Sequence, residues 1–257
     1  MTIGALLIGD EVKRLRASLG LSPIDRLFDW WYSPELILGM FPSWYGKPQH
    51  DWPAQLVLVG FPLNYGQPEV GISEKTLSFC SKGDRPIAFT FGTGMMHARE
   101  LFELGTAVCK KLGVRGIILT KYENQLPRKL PSFVHHSSFE PFHKLFNCCA
   151  AVVHHGGIGT VAMALSAGTP QLILPFAFDQ LDNGVRVQRL QAGEYCEPRK
   201  LSLDTLEQTL VEVLNVKISH GAKAIQRQSC LENGLERAAD LIADRLNSKT
   251  PIRNQRA

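Results

Sequence analysis

The stretch 150-AAVVHHGGIGTVAMALSAG-168 runs from an apolar segment through a glycine-rich turn into a helix of small residues. The apolar run shows no polar alternation, which is the pattern of a strand buried on both faces. Gly168 ends the helix at its C′ position, where a left-handed residue is needed. One strand, one tight turn and one helix in this order make half of a βαβ unit, and the flanking sequence repeats the pattern.

Upstream, RPIAFTF from residue 85 reads as a strand, MMHARELFELGTAVCKKLG as a helix ending at Gly113, and GIILT as a second strand. FVHHSSF is a weaker strand and EPFHKLFNC a short helix. Downstream, PQLILPF is a strand and DQLDNGVRVQRLQAG a helix expected to end at Gly193. SLDTLEQTLVEVLN and AKAIQRQSCLENGLERAADLIADRL read as two further helices. Apolar strands alternating with amphipathic helices predict an α/β fold with a doubly wound parallel sheet. Right-handed crossovers put every loop that follows a strand on one edge of that sheet, where ligands bind in open α/β folds. The loops of interest are therefore 91–94, 137–142, 154–160 and 176–183.

Residues 1–62 differ. EVKRLRASLG reads as a short helix closed by Gly20, and two apolar runs, ELILGMF and QLVLVGF, flank the irregular PSWYGKPQHDWP. All four tryptophans (Trp30, Trp31, Trp44, Trp52) fall here, which suits either packing against a partner domain or a self-contained cap.

Over 257 residues the chain is 44% hydrophobic and 20% charged, with a formal net charge of +4, as expected of a globular protein with a sizeable core. Basic residues are interspersed with acidic ones except in the tail KTPIRNQRA, read as a flexible terminus, so nucleic acid is not expected as a partner. The six cysteines form no CxxC pair and no zinc spacing, which favours a reducing, cytoplasmic compartment. No apolar run approaches the ~20 residues of a membrane span, leaving at most peripheral membrane contact.

In 154-HHGGIGT-160, Gly156, Gly157 and Gly159 free the backbone for a tight turn and for close ligand approach. The helix that follows offers unpaired N–H groups and a positive dipole end, a ready anion site, to which His155 and Thr160 add side-chain donors. The P-loop string GxxxxGK[ST] is absent. The dinucleotide fingerprint is spelled by Gly157, Gly159 and Ala162 with Asp179 downstream, so an NAD(P)-dependent oxidoreductase using residues 157–162 is a competing reading. Asp179 could cap the next helix; with Gln180 it also suits the vicinal hydroxyls of a sugar.

The run VVHHGGIGTVAMALSAGTPQLILPFAFDQLDN resembles the donor-site signature of nucleotide-sugar glycosyltransferases with the GT-B fold, in the sterol-, macrolide- and glycopeptide-type branch related to UDP-glucuronosyltransferases. The resemblance extends from about residue 42 to the last helix. It implies a Rossmann-like C-terminal domain that binds a UDP- or dTDP-sugar and passes the sugar, with inversion, to the hydroxyl of a small hydrophobic acceptor. By this resemblance Gly92, Thr93, His155, Gly157, Gly159 and Thr160 hold the donor diphosphate, Asp179 and Gln180 the sugar, and Phe139 the nucleobase. Phe139-Glu140-Pro141-Phe142 stands where plant members carry W-x-P-Q, which leaves the ribose contact and the choice between uridine and thymidine open.

The resemblance also assigns residues 1-62 to a remnant of the N-terminal acceptor domain and its linker, 63-247 to the donor domain and 248-257 to the tail. The general base belongs to that acceptor domain in the family, so no catalytic residue is assigned here. The chain is then expected to be a truncated form, or one half of a split enzyme completed by a separate acceptor-domain chain. No D-x-D pair occurs, so neither a metal nor a cofactor is expected. A non-catalytic nucleotide-sugar-binding module is the remaining alternative.

Overall fold

The computed structural model describes residues 3–24, 27–63, 70–92, 98–230 and 233–248. The chain divides into two units, Met1–Gly60 and Phe61–Ala257.

In the first unit, α1 (Ile3–Ser18) starts earlier than the charged segment suggested, taking in the apolar patch ahead of it. It ends as expected at Gly20, whose φ is +66°. The amides of Gly20 and Leu21 reach back to Ala17 and Arg16, satisfying carbonyls the helix end leaves unpaired. A short α2 (Leu27–Trp31) follows. The two apolar runs become β1 (Ile37–Gly39) and β2 (Leu56–Leu58), paired in parallel with Ile37 opposite Leu56. The proline-rich segment between them has no regular structure and is packed through its rings. Phe41 meets Tyr45 and Trp52 edge-on at 6.5 and 6.0 Å, and Trp44 meets Tyr45 at 6.3 Å. Arg16 lies over the Trp30 ring. These aromatics thus find one another within the unit.

The second unit opens with α3 (Glu74–Ser81), a helix the sequence pattern did not announce, capped by Ser73. Then come β3 (Ile87–Thr90), α4 (Arg99–Leu112), β4 (Gly116–Leu119), β5 (Val134–Ser137), α5 (Phe142–Leu145), β6 (Ala151–His154), α6 (Ile158–Ala167) and β7 (Gln171–Ile173). They are followed by α7 (Gln180–Arg189), β8 (Gly193–Tyr195), α8 (Leu203–Val213), α9 (Val216–Ser229) and α10 (Gly234–Asn247). The six strands form one sheet, ordered β5-β4-β3-β6-β7-β8, and every pairing is parallel.

Every residue of β3, β4, β6 and β7 is buried. Ile87, Phe89, Ile118, Val153 and Leu172 pack on one face with Phe102 and Val108 of α4 and Leu206 and Leu210 of α8. Ala88, Ile117, Leu119 and Val152 pack on the other with Leu145 of α5 and Ala164 and Ala167 of α6. The expected doubly wound sheet is what forms. Left-handed Gly113 and Gly168 end α4 and α6 where the sequence placed the stops.

Two expectations need correction. The helix expected to run to Gly193 ends at Arg189, the left-handed turn falls on Gln191 (φ +54°), and Gly193 opens a strand. A Cβ on Gly193 would lie 2.1 Å from the carbonyl oxygen of Gln171, so glycine is required by close approach of β8 to β7 and not by a helix stop. The obstacle is backbone, so Gly193→Ala is expected to cost about 3 kcal/mol in urea denaturation. The single long helix expected over 222–246 is two, α9 and α10, the second capped by the Asn233 side chain. Residues 249–257 of the expected tail lie outside the described residues.

Candidate functional site

The chain leaves β3 toward β4 and β5 on one side, then returns to place β6, β7 and β8 on the other. The loops after β3 and β6 therefore diverge, opening a crevice at the carboxyl ends of these strands, the position at which open α/β sheets bind ligands. Gly92, at the end of β3, has φ +78° and stands against His155, at the end of β6. A Cβ on Gly92 would fall 2.9 Å from His155 Cε1, and one on Gly157 would fall 2.6 Å from His155 Nε2. Two glycines thus make room for one imidazole. Gly157 is also the N-cap of α6 and supplies no side-chain cap, so the helix start faces the crevice uncapped. A Cβ on Gly159, in the first turn, would meet nothing within 4 Å, so the backbone is open to a ligand there. Thr160 is half-buried in the same turn. Thr93 lies outside the described residues.

Burial pushes the His155 imidazole below its usual pKa, against the opposing pull of the Asp179 carboxylate. The ring is therefore neutral at physiological pH and has one N–H to donate. Its Nδ1 is buried and has no hydrogen-bond partner in the protein.

The turn is held by residues the motif did not single out. His154 is fully buried; its Nδ1 accepts the Gly156 amide (3.1 Å), which leaves the proton on Nε2 to donate to Gln171 Oε1 at 2.9 Å. Burial drives its pKa down to about 3, so the ring stays neutral. Gly156, at φ +91°, makes the turn itself, and its carbonyl accepts from Asn183 Nδ2 at 2.8 Å. The same amide group donates to Asp179 Oδ2 at 2.8 Å, tying the β6 turn to the β7 loop.

Asp179 occupies the N-cap position of α7 but makes no side-chain cap bond, so the capping role considered for it is not the one it plays. Its carboxylate is exposed and oriented by Asn183. Gln180 Oε1 accepts the amides of Phe176 (2.7 Å) and Ala177 (3.0 Å), a clamp on the loop that leaves its Nε2 for other partners. Beside it a cavity of about 460 Å³ is lined by Phe176, Phe178, Leu181, Pro198 and Arg199. Phe178 holds φ +57° and is 97% exposed. Phe139, 70% exposed, follows β5 at the far end of the same edge. Four inter-strand steps of ~4.8 Å separate β5 from β7, about 19 Å in all. The edge therefore presents, in order, the Phe139 ring, the uncapped start of α6 and the polar side chains of Asp179 and Gln180.

Residues 114–232 match the family model described as erythromycin biosynthesis protein CIII-like, C-terminal domain. The chain is 31% identical over 210 residues to a sterol 3-beta-glucosyltransferase of Arabidopsis thaliana, covering 79% of this chain and 32% of that protein. It is 28% identical over 258 residues to the O-mycaminosyltylonolide 6-deoxyallosyltransferase of Streptomyces fradiae, covering 93% and 57%. Among solved structures, the glycotransferase of kitacinnamycin superposes with a TM-score of 0.78 at 20% identity, covering 92% of this chain and 61% of that one. A spinosyn rhamnosyltransferase complexed with thymidine diphosphate superposes at 0.65 and 21% identity, covering 89% and 60%. The chain carries the C-terminal half of a GT-B glycosyltransferase.

This GT-B half spans less than two thirds of the length of these relatives. The likenesses do not favour the oxidoreductase alternative, and the turn explains why its motif match is only one of spelling. The glycine that makes the tight turn after β6 is Gly156, one residue ahead of the Gly157 with which the fingerprint begins. Gly157 instead clears space for His155. Of the other histidines, the His136 ring donates to the Thr120 carbonyl at 2.9 Å and the His135 ring is bonded to Thr76, while His97 lies outside the described residues. Among the described residues no His, Cys, Asp and Glu group could hold a metal ion, and no helix is long and apolar enough to cross a membrane.

Proposed function

We propose that this domain binds a UDP- or dTDP-sugar along the carboxyl edge of its sheet and passes the sugar, with inversion, to the hydroxyl of an apolar acceptor. The observation that carries the reading is the His155 ring boxed between Gly92 and Gly157 at the uncapped start of α6. The diphosphate lies there, against the first-turn amides, the His155 N–H and the Thr160 hydroxyl. The Asp179 carboxylate and the Gln180 amide take the sugar hydroxyls, and Phe139 stacks on the base.

As the glycosidic bond breaks, positive charge spreads over the anomeric carbon and ring oxygen while negative charge collects on the departing phosphate. The helix dipole, its amides and His155 meet that charge with fixed donors that need no reorganisation. This division of labour needs neither a metal nor another cofactor. The acceptor proton passes to a general base on the acceptor domain. The cavity by Phe176 and Phe178, next to the sugar position, is lined mostly by apolar side chains with Glu197 and Arg199 in its wall, and supports a largely hydrophobic acceptor, as do relatives named for sterols and for O-mycaminosyltylonolide. Six free thiols suit a reducing cytoplasm.

Titration calorimetry with UDP, dTDP, UDP-glucose and NADH tests the reading. The nucleoside diphosphates are expected to bind with one-to-one stoichiometry and NADH not to bind; heat from NADH alone would assign the crevice to a dinucleotide.

A further inference from the structure

Away from the crevice, one carboxylate is 2% exposed: Glu140, in the turn between β5 and α5. Four hydrogen bonds converge on it, from the Ser73 amide (2.9 Å) and hydroxyl (2.6 Å), the Thr76 hydroxyl (2.5 Å) and the Ser137 hydroxyl (2.9 Å). The three hydroxyls meet Oε1 and the amide meets Oε2. Burial opposes ionisation, but these bonds outweigh it and hold the carboxyl below its usual pKa.

The donors come from two parts of the chain. Ser73 and Thr76 form the first turn of α3, and Ser137 ends β5. The same two segments are joined by the His135 ring on Thr76 (2.8 Å), by Phe79 stacked on His135 (5.3 Å) and by Lys144 Nζ on the Val70 carbonyl (2.7 Å). Because Thr76 gives its proton to Glu140, the His135 contact requires His135 Nε2 to be the donor. Phe139 sits between the pinned residues: Ser137 Oγ lies 3.0 Å from its carbonyl oxygen, and its peptide neighbour is Glu140. Its ring is exposed while its backbone is anchored on both sides.

We propose that Glu140 is a positioning residue for the nucleobase: through Ser73, Thr76 and Ser137 it fixes the turn from which Phe139 presents its ring. This rests on the donor-site reading above. An exposed ring that must be ordered when the base arrives gives up part of its stacking affinity, and a pinned turn avoids that loss. The carboxylate is specific to the task. A glutamine would either set its NH₂ against the Ser73 amide, donor facing donor, or turn it toward the three hydroxyls, which would have to rotate and give up the bonds they now donate.

The test compares UDP with inorganic pyrophosphate on the full chain by calorimetry. Pyrophosphate reports the α6 crevice alone, and UDP adds the base. Glu140→Gln is expected to weaken UDP about tenfold, the scale of one base–aromatic stack, and to leave pyrophosphate within about twofold of wild type. Phe139→Ala should behave likewise, and the double variant should bind UDP no more weakly than Phe139→Ala alone. Thr76→Val, which removes one of the donors, should show the same pattern at smaller amplitude and serves if Glu140→Gln does not fold. Equal weakening of UDP and pyrophosphate, or losses that add in the double variant, would overturn the positioning role. Failure of the wild-type chain to bind either probe would overturn the nucleotide reading beneath it.

Discussion

Replacing His155 and Thr160 together by alanine is expected to lower UDP affinity by two to three orders of magnitude. A hydrogen bond to a charged group contributes about 1.5–3 kcal/mol; for two groups that are only half-buried the lower part of that range applies, about 3–4 kcal/mol together, or two to three decades at about 1.4 kcal/mol per decade. The backbone amides of α6 remain, so weak binding should persist. The fold should tolerate the change, because His155 Nδ1 has no protein partner to lose. Calorimetry for affinity and thermal unfolding for stability separate the two effects. Unchanged UDP affinity in the double variant would remove the diphosphate from this crevice.

His154→Ala should act on stability instead. It deletes a fully buried ring and strands two polar groups, the Gly156 amide and the Gln171 side chain. Gln171 Nε2 is already buried without a partner, so the bond to His154 is the one its side-chain oxygen relies on. With about 1–3 kcal/mol for each stranded group, and the cavity besides, a loss of at least about 4 kcal/mol is expected in urea denaturation. The same residue sets a pH dependence. Its folded pKa of about 3 lies below the ordinary 6.5. Between those values the unfolded chain binds a proton that the folded chain refuses, so stability falls as pH drops from 6.5 toward 3. One proton gives a slope of about 1.4 kcal/mol per pH unit. Glu140 adds in the same direction below about pH 4.5, where the unfolded carboxyl takes up a proton that the folded one, held below that value by its hydrogen bonds, still refuses. Comparing urea denaturation of wild type and His154→Ala from pH 7 to 4 should show the variant with the shallower slope, by about one proton.

The central strands were legible because burial on both faces demands uninterrupted apolar residues, and β3, β4, β6 and β7 have them. Strand β8 was not. Gly193-Glu194-Tyr195 carries no apolar run, and it is a strand because its backbone pairs with β7. Helix α3 was missed because it is short and only Thr76 in it is buried. In the site, HHGGIGT announced an anion-binding turn, but sequence could not divide the labour between adjacent histidines. Strand geometry alternates them, sending His154 inward to Gln171 and His155 toward the crevice. Asn183, which ties Gly156 to Asp179, was invisible because Gly156 lies 27 residues away, in the turn after another strand. A polar residue inside an otherwise apolar strand, Gln171, was the available signal that a buried partner such as His154 existed.

The most direct measurement is diffraction from crystals of this chain grown with UDP. Diphosphate density is expected at the start of α6, with oxygens about 2.7–3.2 Å from the amides of Ile158 and Gly159, the Thr160 hydroxyl and the His155 ring, and uracil against Phe139. Diphosphate density at any other place on the molecule would contradict this assignment.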